Sequence, residues 1–336
     1  MNIDCKNWSF QKSIKFLLVF FILYGLSAYH IAEFKQMYLD PFSILPEKSQ
    51  WLHESPIQYF IGNALFKNLN WSVAYIFTNL IGVSAAIMAY VLMLKSREIS
   101  HSEMFIVLAL SPFFIVVFTF FGKPDTFLIA GCFGMLASHD HYRFLFPIFM
   151  LVSVFSHPQI TLFYILFFVI LQQIKLNFMV IISLILSFFL YALYIQEIGD
   201  FDGRATFIAD YVKNLLETQI RQPFFSLFCT FGWLWLPIIF YKKELGFRFI
   251  VVSFLCFCIT IMTLDHTRVF VLLSVPLLVY ISTVVSVTKY ATYIDKFVPI
   301  IILMLFQFQK RANGEIIDTA WSWFWAPKVA QYLGLL

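Results

Sequence analysis

Residues 263–270, TLDHTRVF, place an acid, an imidazole, two hydroxyls and a guanidinium between two apolar stretches, 249–262 and 269–288. At the mouth of a lipid-lined cavity, a guanidinium offers paired donors to a phosphate and an ammonium offers a point charge. Arg268 and Lys123 therefore suit the phosphate or pyrophosphate of a lipid-linked donor. Asp265 precedes Arg268 closely enough to hold it in an ion pair. Basic side chains at helix ends also snorkel toward lipid phosphates, and for Lys123 that plainer reading weighs the same.

Transfer of a glycosyl group to a hydroxyl needs a carboxylate that removes the acceptor's proton as the anomeric carbon is attacked. Asp40, in YLDPFS, follows the first apolar run, with Pro41 stiffening the backbone behind it; Glu33 and Glu54 are neighbouring acids. Taken alone, Asp40 reads more simply as a solvated loop carboxylate. His53, His157 and His266 each offer a hydrogen bond to a sugar or phosphate, and each equally fits an interfacial histidine with its bonds met. No group has metal-ligand spacing, so no metal site or cofactor can be read. The five scattered cysteines read as small buried hydrophobes. There is no phosphate-binding glycine loop, serine elbow or HExxH.

The elements that must carry these residues have lipid as their main solvent. Of 336 residues 61% are hydrophobic and 12% charged, and the mean hydropathy is +0.82, whereas a soluble domain is about a quarter charged. The expected architecture is an all-α polytopic membrane protein, one domain over 1–336. It has about eleven spans, at 14–33, 72–94, 104–121, 126–138, 144–157, 160–174, 178–196, 223–241, 247–264, 269–288 and 297–309. Lys6, Lys12, Lys15, Lys95, Arg97, Arg143, Lys175, Lys242, Lys243, Arg248, Lys289 and Lys296 fall on one side, which makes it cytoplasmic.

The opposite side holds most of the acids and three long segments: 34–71, 197–222 (with Arg204 and Arg221) and the tail 310–336. Trp321, Trp323 and Trp325 suit that tail to the headgroup layer. The junctions FGKPD (121–125), SHPQ (156–159) and LDHTR (264–268) open on the same side. Polar residues gather at this rim while the helix interiors are Phe, Leu, Ile and Val. That distribution favours an enzyme at an interface over a transporter, whose polar or broken helices sit near the bilayer midplane.

The order of features resembles the GT-C superfamily of integral membrane glycosyltransferases. HESPIQYFIGNALFKNL (53–69) running into WSVAYIFTNLIGVSAAIMAYVL (71–92) looks like that family's juxtamembrane segment and second span. LALSPFFIVVFTFFGKPDTFLIAGCFGMLAS (108–138) is similar to its third and fourth spans, with Asp125 as the outward acid between them, and FSHPQITLFYILFFVIL (155–171) also matches the pattern. By this resemblance Asp40 is the catalytic base and Glu33 its reserve. The first loop lacks a paired-acid motif, and no large soluble outer domain is present. LDHTRVFVLLSVP, in the second half, resembles bacterial surface-polysaccharide polymerases of the O-antigen type, in which outer-face arginines hold diphosphates.

The resemblance implies a glycosyltransferase of the bacterial inner membrane with a periplasmic active face. It implies an undecaprenyl-phosphate or -diphosphate glycan donor, a glycan acceptor, and a cavity bounded by the outer loops. Asp40 and Glu33 are the catalytic candidates. Arg268, Asp265, His266, Lys123, Asp125, His157, Arg204, Arg221, Glu54 and His53 are the candidates for binding substrate. The rival reading is a flippase or transporter of lipid-linked glycans.

Overall fold

The computed structural model describes residues 55–66, 68–69, 71–113, 116–117, 123–198, 230–261, 263, 266–286, 309–310 and 316–317. Ten α-helices make up nearly all of it. They are α1 (Ile57–Phe66), α2 (Trp71–Arg97), α3 (His101–Leu110), α4 (Asp125–Asp140), α5 (Phe146–Ser156), α6 (Pro158–Ile170), α7 (Phe178–Ile198), α8 (Trp235–Phe240), α9 (Lys242–Ile261) and α10 (His266–Ser286). Among the described residues, three stretches are long and apolar enough to cross a membrane: Phe77–Arg97, Phe178–Glu197 and His266–Val284. The span expected at 14–33 lies outside the described residues, as does that at 297–309 except for Gln309.

Helix α4 is the hub, with every residue from Asp125 to His139 buried. It packs chiefly against α2 and α5, and small residues set those distances. A Cβ on Gly82 of α2 would lie 2.6 Å from Thr126 Oγ1, and one on Gly131 the same distance from Ser153 Cβ of α5. A Cβ on Gly134 would overlap the Phe149 ring. In lipid there is no solvent-driven collapse between helices, so close van der Waals approach over small residues holds them together.

Two prolines redirect the chain. Pro112 disfavours helix at the preceding residue, and Ser111 is extended (φ −88°, ψ 162°), so α3 stops at Leu110 and the expected span at 104–121 is broken. Pro158 has the same effect on His157 (φ −153°, ψ 92°), the single residue between α5 and α6. At 11 and 13 residues, these helices reach only about 17 and 20 Å, short of a hydrocarbon layer of about 30 Å. They form a hairpin with His157 at its tip.

A third proline, Pro276 inside α10, has no N–H to give the Leu272 carbonyl one turn back. The buried Tyr164 hydroxyl of α6 donates to that carbonyl instead, at 2.6 Å. Gln173 Nε2 donates to the Pro276 carbonyl at 3.1 Å. A backbone acceptor left open by the proline is thus satisfied from a neighbouring helix, as a membrane-spanning helix would require.

The expected span 223–241 is described only from 230 onward, as a 3-10 turn (Gly232–Leu234) and the six-residue α8. Gly246 (φ 68°) interrupts α9 near its start. Gln309–Lys310 and Ile316–Ile317 form a short antiparallel ladder, where the sequence reading ends a span and begins a surface tail. The remainder of that tail, with its three tryptophans, lies outside the described residues.

Candidate functional site: a buried ion cluster at one end of the bundle

The bundle has two polar ends. At the first, Arg97 of α2 donates through Nη2 to the carbonyls of Leu136 (3.2 Å) and Gln173 (2.7 Å) and pairs with Asp140 Oδ2 at 3.2 Å. His139 lies 2.6 Å from Asp140 and accepts from the Lys175 backbone N–H at 3.2 Å. The ends of α2 and α4 and the turn after α6 are therefore knotted together. This matches the expectation that Lys95, Arg97, Arg143 and Lys175 share a side.

At the opposite end, Asp125 opens α4. Arg268, from the first turn of α10, donates Nε to Asp125 Oδ2 and Nη2 to Oδ1, both at 2.7 Å. His157, at the hairpin tip, places Nε2 3.2 Å from the same Oδ1. An ionised carboxylate only accepts, so Nε2 carries the proton. Asp125 is 1% exposed and Arg268 6%. A guanidinium stays charged even when buried, and burying it is tolerable only with a well-placed anion beside it. Asp125 meets that requirement, and the α4 N-terminus favours its negative charge.

The junctions FGKPD, SHPQ and LDHTR, far apart in the chain, thus meet at one point. Lys123, 4% exposed, precedes Asp125 across Pro124; His266 and Thr267, each 1% exposed, complete the first turn of α10. In the sequence reading Asp265 held Arg268; among the described residues that carboxylate is Asp125. Asp265 itself lies outside them, as do Asp40, Glu33, Glu54, His53, Arg204 and Arg221.

Helix α4 has 16 residues, about 24 Å of rise, so its two polar ends stand closer together than the faces of a hydrocarbon layer of about 30 Å. Arg97 and Asp140 are partly exposed, at 19% and 37% of their side chains, while Arg268 and Asp125 are closed off at 6% and 1%. The Asp125 cluster is the one more fully enclosed by protein.

Two features escaped the sequence reading. Beside His157, Phe155 packs its ring against Phe60, Tyr191 and Tyr194 at centroid distances of 5.9, 5.8 and 6.1 Å. This aromatic wall joins α1, α5 and α7. Beginning at Thr126, next to Asp125, a small, open apolar groove runs between α2, α3 and α4, past Val83, Ile87, Leu108, Ile129 and Phe133. Neither has a local signal, because their residues look like any others in a chain so rich in phenylalanine.

No protein-family model, curated protein or solved structure matches this chain. Fold and site together define a helical protein that, among the described residues, has three stretches long and apolar enough to cross a membrane and a charged cluster buried at one end of its bundle.

Proposed function

We propose that this chain is a GT-C-type membrane glycosyltransferase that takes a sugar or oligosaccharide from an undecaprenyl-phosphate or -diphosphate carrier. It would work at the periplasmic face of a bacterial inner membrane and build a surface polysaccharide. The observation that supports this most is the meeting of Asp125, His157 and Arg268 from three separate junctions, with Lys123 two residues before Asp125. A fixed guanidinium and a neighbouring ammonium suit a lipid phosphate. The apolar groove beside Thr126 suits a hydrocarbon chain, and the rings of Phe60, Tyr191 and Tyr194 suit the apolar faces of sugars.

In this reading Arg268 and Lys123 hold the donor phosphate, Asp125 aims the guanidinium, and His157 and His266 orient donor or acceptor. Arg204 and Arg221 add positive charge from the second outer segment. Asp40, with Glu33 in reserve, takes the acceptor hydroxyl's proton as its oxygen bonds to the anomeric carbon. The bond from that carbon to the phosphate oxygen breaks, and the phosphate leaves with the electron pair.

The test is a gel of surface polysaccharide from cells with and without the gene. Loss of the ladder to single repeat units identifies a polymerase, and a shift of every rung identifies a side-branch transferase. An unchanged pattern sinks the proposal.

A second reading, a flippase of lipid-linked glycans, is favoured by the burial of the Asp125 cluster within the bundle, since charge within a bundle marks transport paths. Asp40→Asn in purified protein given a lipid-linked donor and acceptor separates the two. Transfer chemistry is lost without the base, whereas movement of lipid across a vesicle does not need it.

A further inference from the structure

The four most exposed large apolar side chains among the described residues are Phe178 (79%), Phe247 (77%), Phe144 (76%) and Phe240 (76%). Each stands within three residues of an exposed cation. Arg143 precedes Phe144, Lys175 lies just before Phe178, Lys242 and Lys243 follow Phe240, and Arg248 follows Phe247.

All four pairs belong to the Arg97 end. His139 and Arg97 bond the backbone at 173–175, and Arg143 lies in the 3-10 turn after α4. The start of α9 is placed by α10. Tyr280, about 18 Å along that helix from Arg268, reaches the Leu245 carbonyl and stacks on Phe249. With Lys95, the described residues at this end hold six exposed cations against three exposed acids, Glu98, Asp140 and Glu244.

Bare phenylalanine is costly in water, and a cation is costly in hydrocarbon. The one level that suits both is the boundary between headgroups and acyl chains, where rings enter the chains and cations reach lipid phosphates. Excess positive charge there selects for negative lipid. We propose that this end is a docking surface for anionic phospholipid, centred on Lys242, Lys243 and Arg248 with Phe240 and Phe247. The surface is independent of whatever the Asp125 cluster does.

The test uses the purified full chain in mixed detergent micelles, with phosphatidylglycerol and phosphatidylcholine competing and retained lipid counted by native mass spectrometry. Wild type should keep phosphatidylglycerol in preference, and the preference should collapse at high salt because exposed pairing is screened. The variant K242Q/K243Q/R248Q should lose at least about tenfold of that preference. F240S/F247S should retain less of both lipids. Equal retention of the two lipids by wild type, or a preference indifferent to salt, overturns the proposal whether or not the variants fold. A triple variant with wild-type preference overturns it as well.

Discussion

Asp125 and Arg268, 143 positions apart in the chain, share a two-bond contact with both distances at 2.7 Å. The pair joins the first residue of α4 to the first turn of α10 in a place water does not reach.

Breaking this pair from one side strands a buried charge. Asp125→Asn should cost about 3–5 kcal/mol, read as a large fall in thermal stability in detergent. Removing both charges in D125N/R268Q should recover part of it, because no unpaired ion remains. Single variants as stable as wild type would show that the contact does not hold in the folded protein. If the proposed function is right, the double variant should also be folded and inactive.

His157 gives one hydrogen bond to a carboxylate that Arg268 already neutralises. His157→Phe should therefore cost less, about 1–3 kcal/mol. His157→Gln, which keeps a donor near the same position, should cost less again. A loss as large as that of Asp125→Asn would mean that the histidine carries the hairpin tip rather than trimming the ion pair.

The Tyr164 hydroxyl substitutes for the N–H that Pro276 lacks. Tyr164→Phe should destabilise by about 1–3 kcal/mol, the cost of an unsatisfied buried acceptor. Pro276→Ala restores an N–H one turn from Leu272, so Tyr164→Phe should cost markedly less in that background. A double-mutant cycle with no coupling would show that the hydroxyl and the proline are unrelated.

Gly134 has no room for a Cβ against Phe149. Gly134→Ala should cost about 1–3 kcal/mol through overpacking, and adding Phe149→Leu should return some of it. A Gly134→Ala protein with unchanged unfolding would show that α4 and α5 can part without penalty.

Much of this organisation was readable from local pattern. The apolar runs at 72–94, 126–138, 144–157, 160–174, 178–196 and 269–288 correspond to α2, α4, α5, α6, α7 and α10. The side shared by Arg97, Arg143 and Lys175 followed from where cations interrupt those runs. LSPFF holds its own break, since proline acts on the residue before it, yet the hydropathy of 104–121 runs smoothly across it. Averaged hydropathy has no term for a missing N–H.

The site was legible as three addresses and illegible as a contact. FGKPD, SHPQ and LDHTR stand out because charge and proline are rare in this chain. Asp265 looked like the partner of Arg268 because sequence reasoning favours near neighbours. Among the described residues the partner is Asp125, placed there by the packing of α4 and by a hairpin that turns at His157.

Composition and spacing alone point to a bundle of apolar helices, of which three stretches among the described residues are long enough to cross a membrane, because hydropathy and backbone hydrogen bonding are properties of single segments. Which carboxylate meets which guanidinium, which hydroxyl serves the carbonyl that Pro276 leaves open, and which end of the bundle closes over its charges were decided only by tertiary structure. Those outcomes depend on how closely helices approach, and that distance is set jointly by residues such as Gly134 and Phe149 that are strangers in sequence.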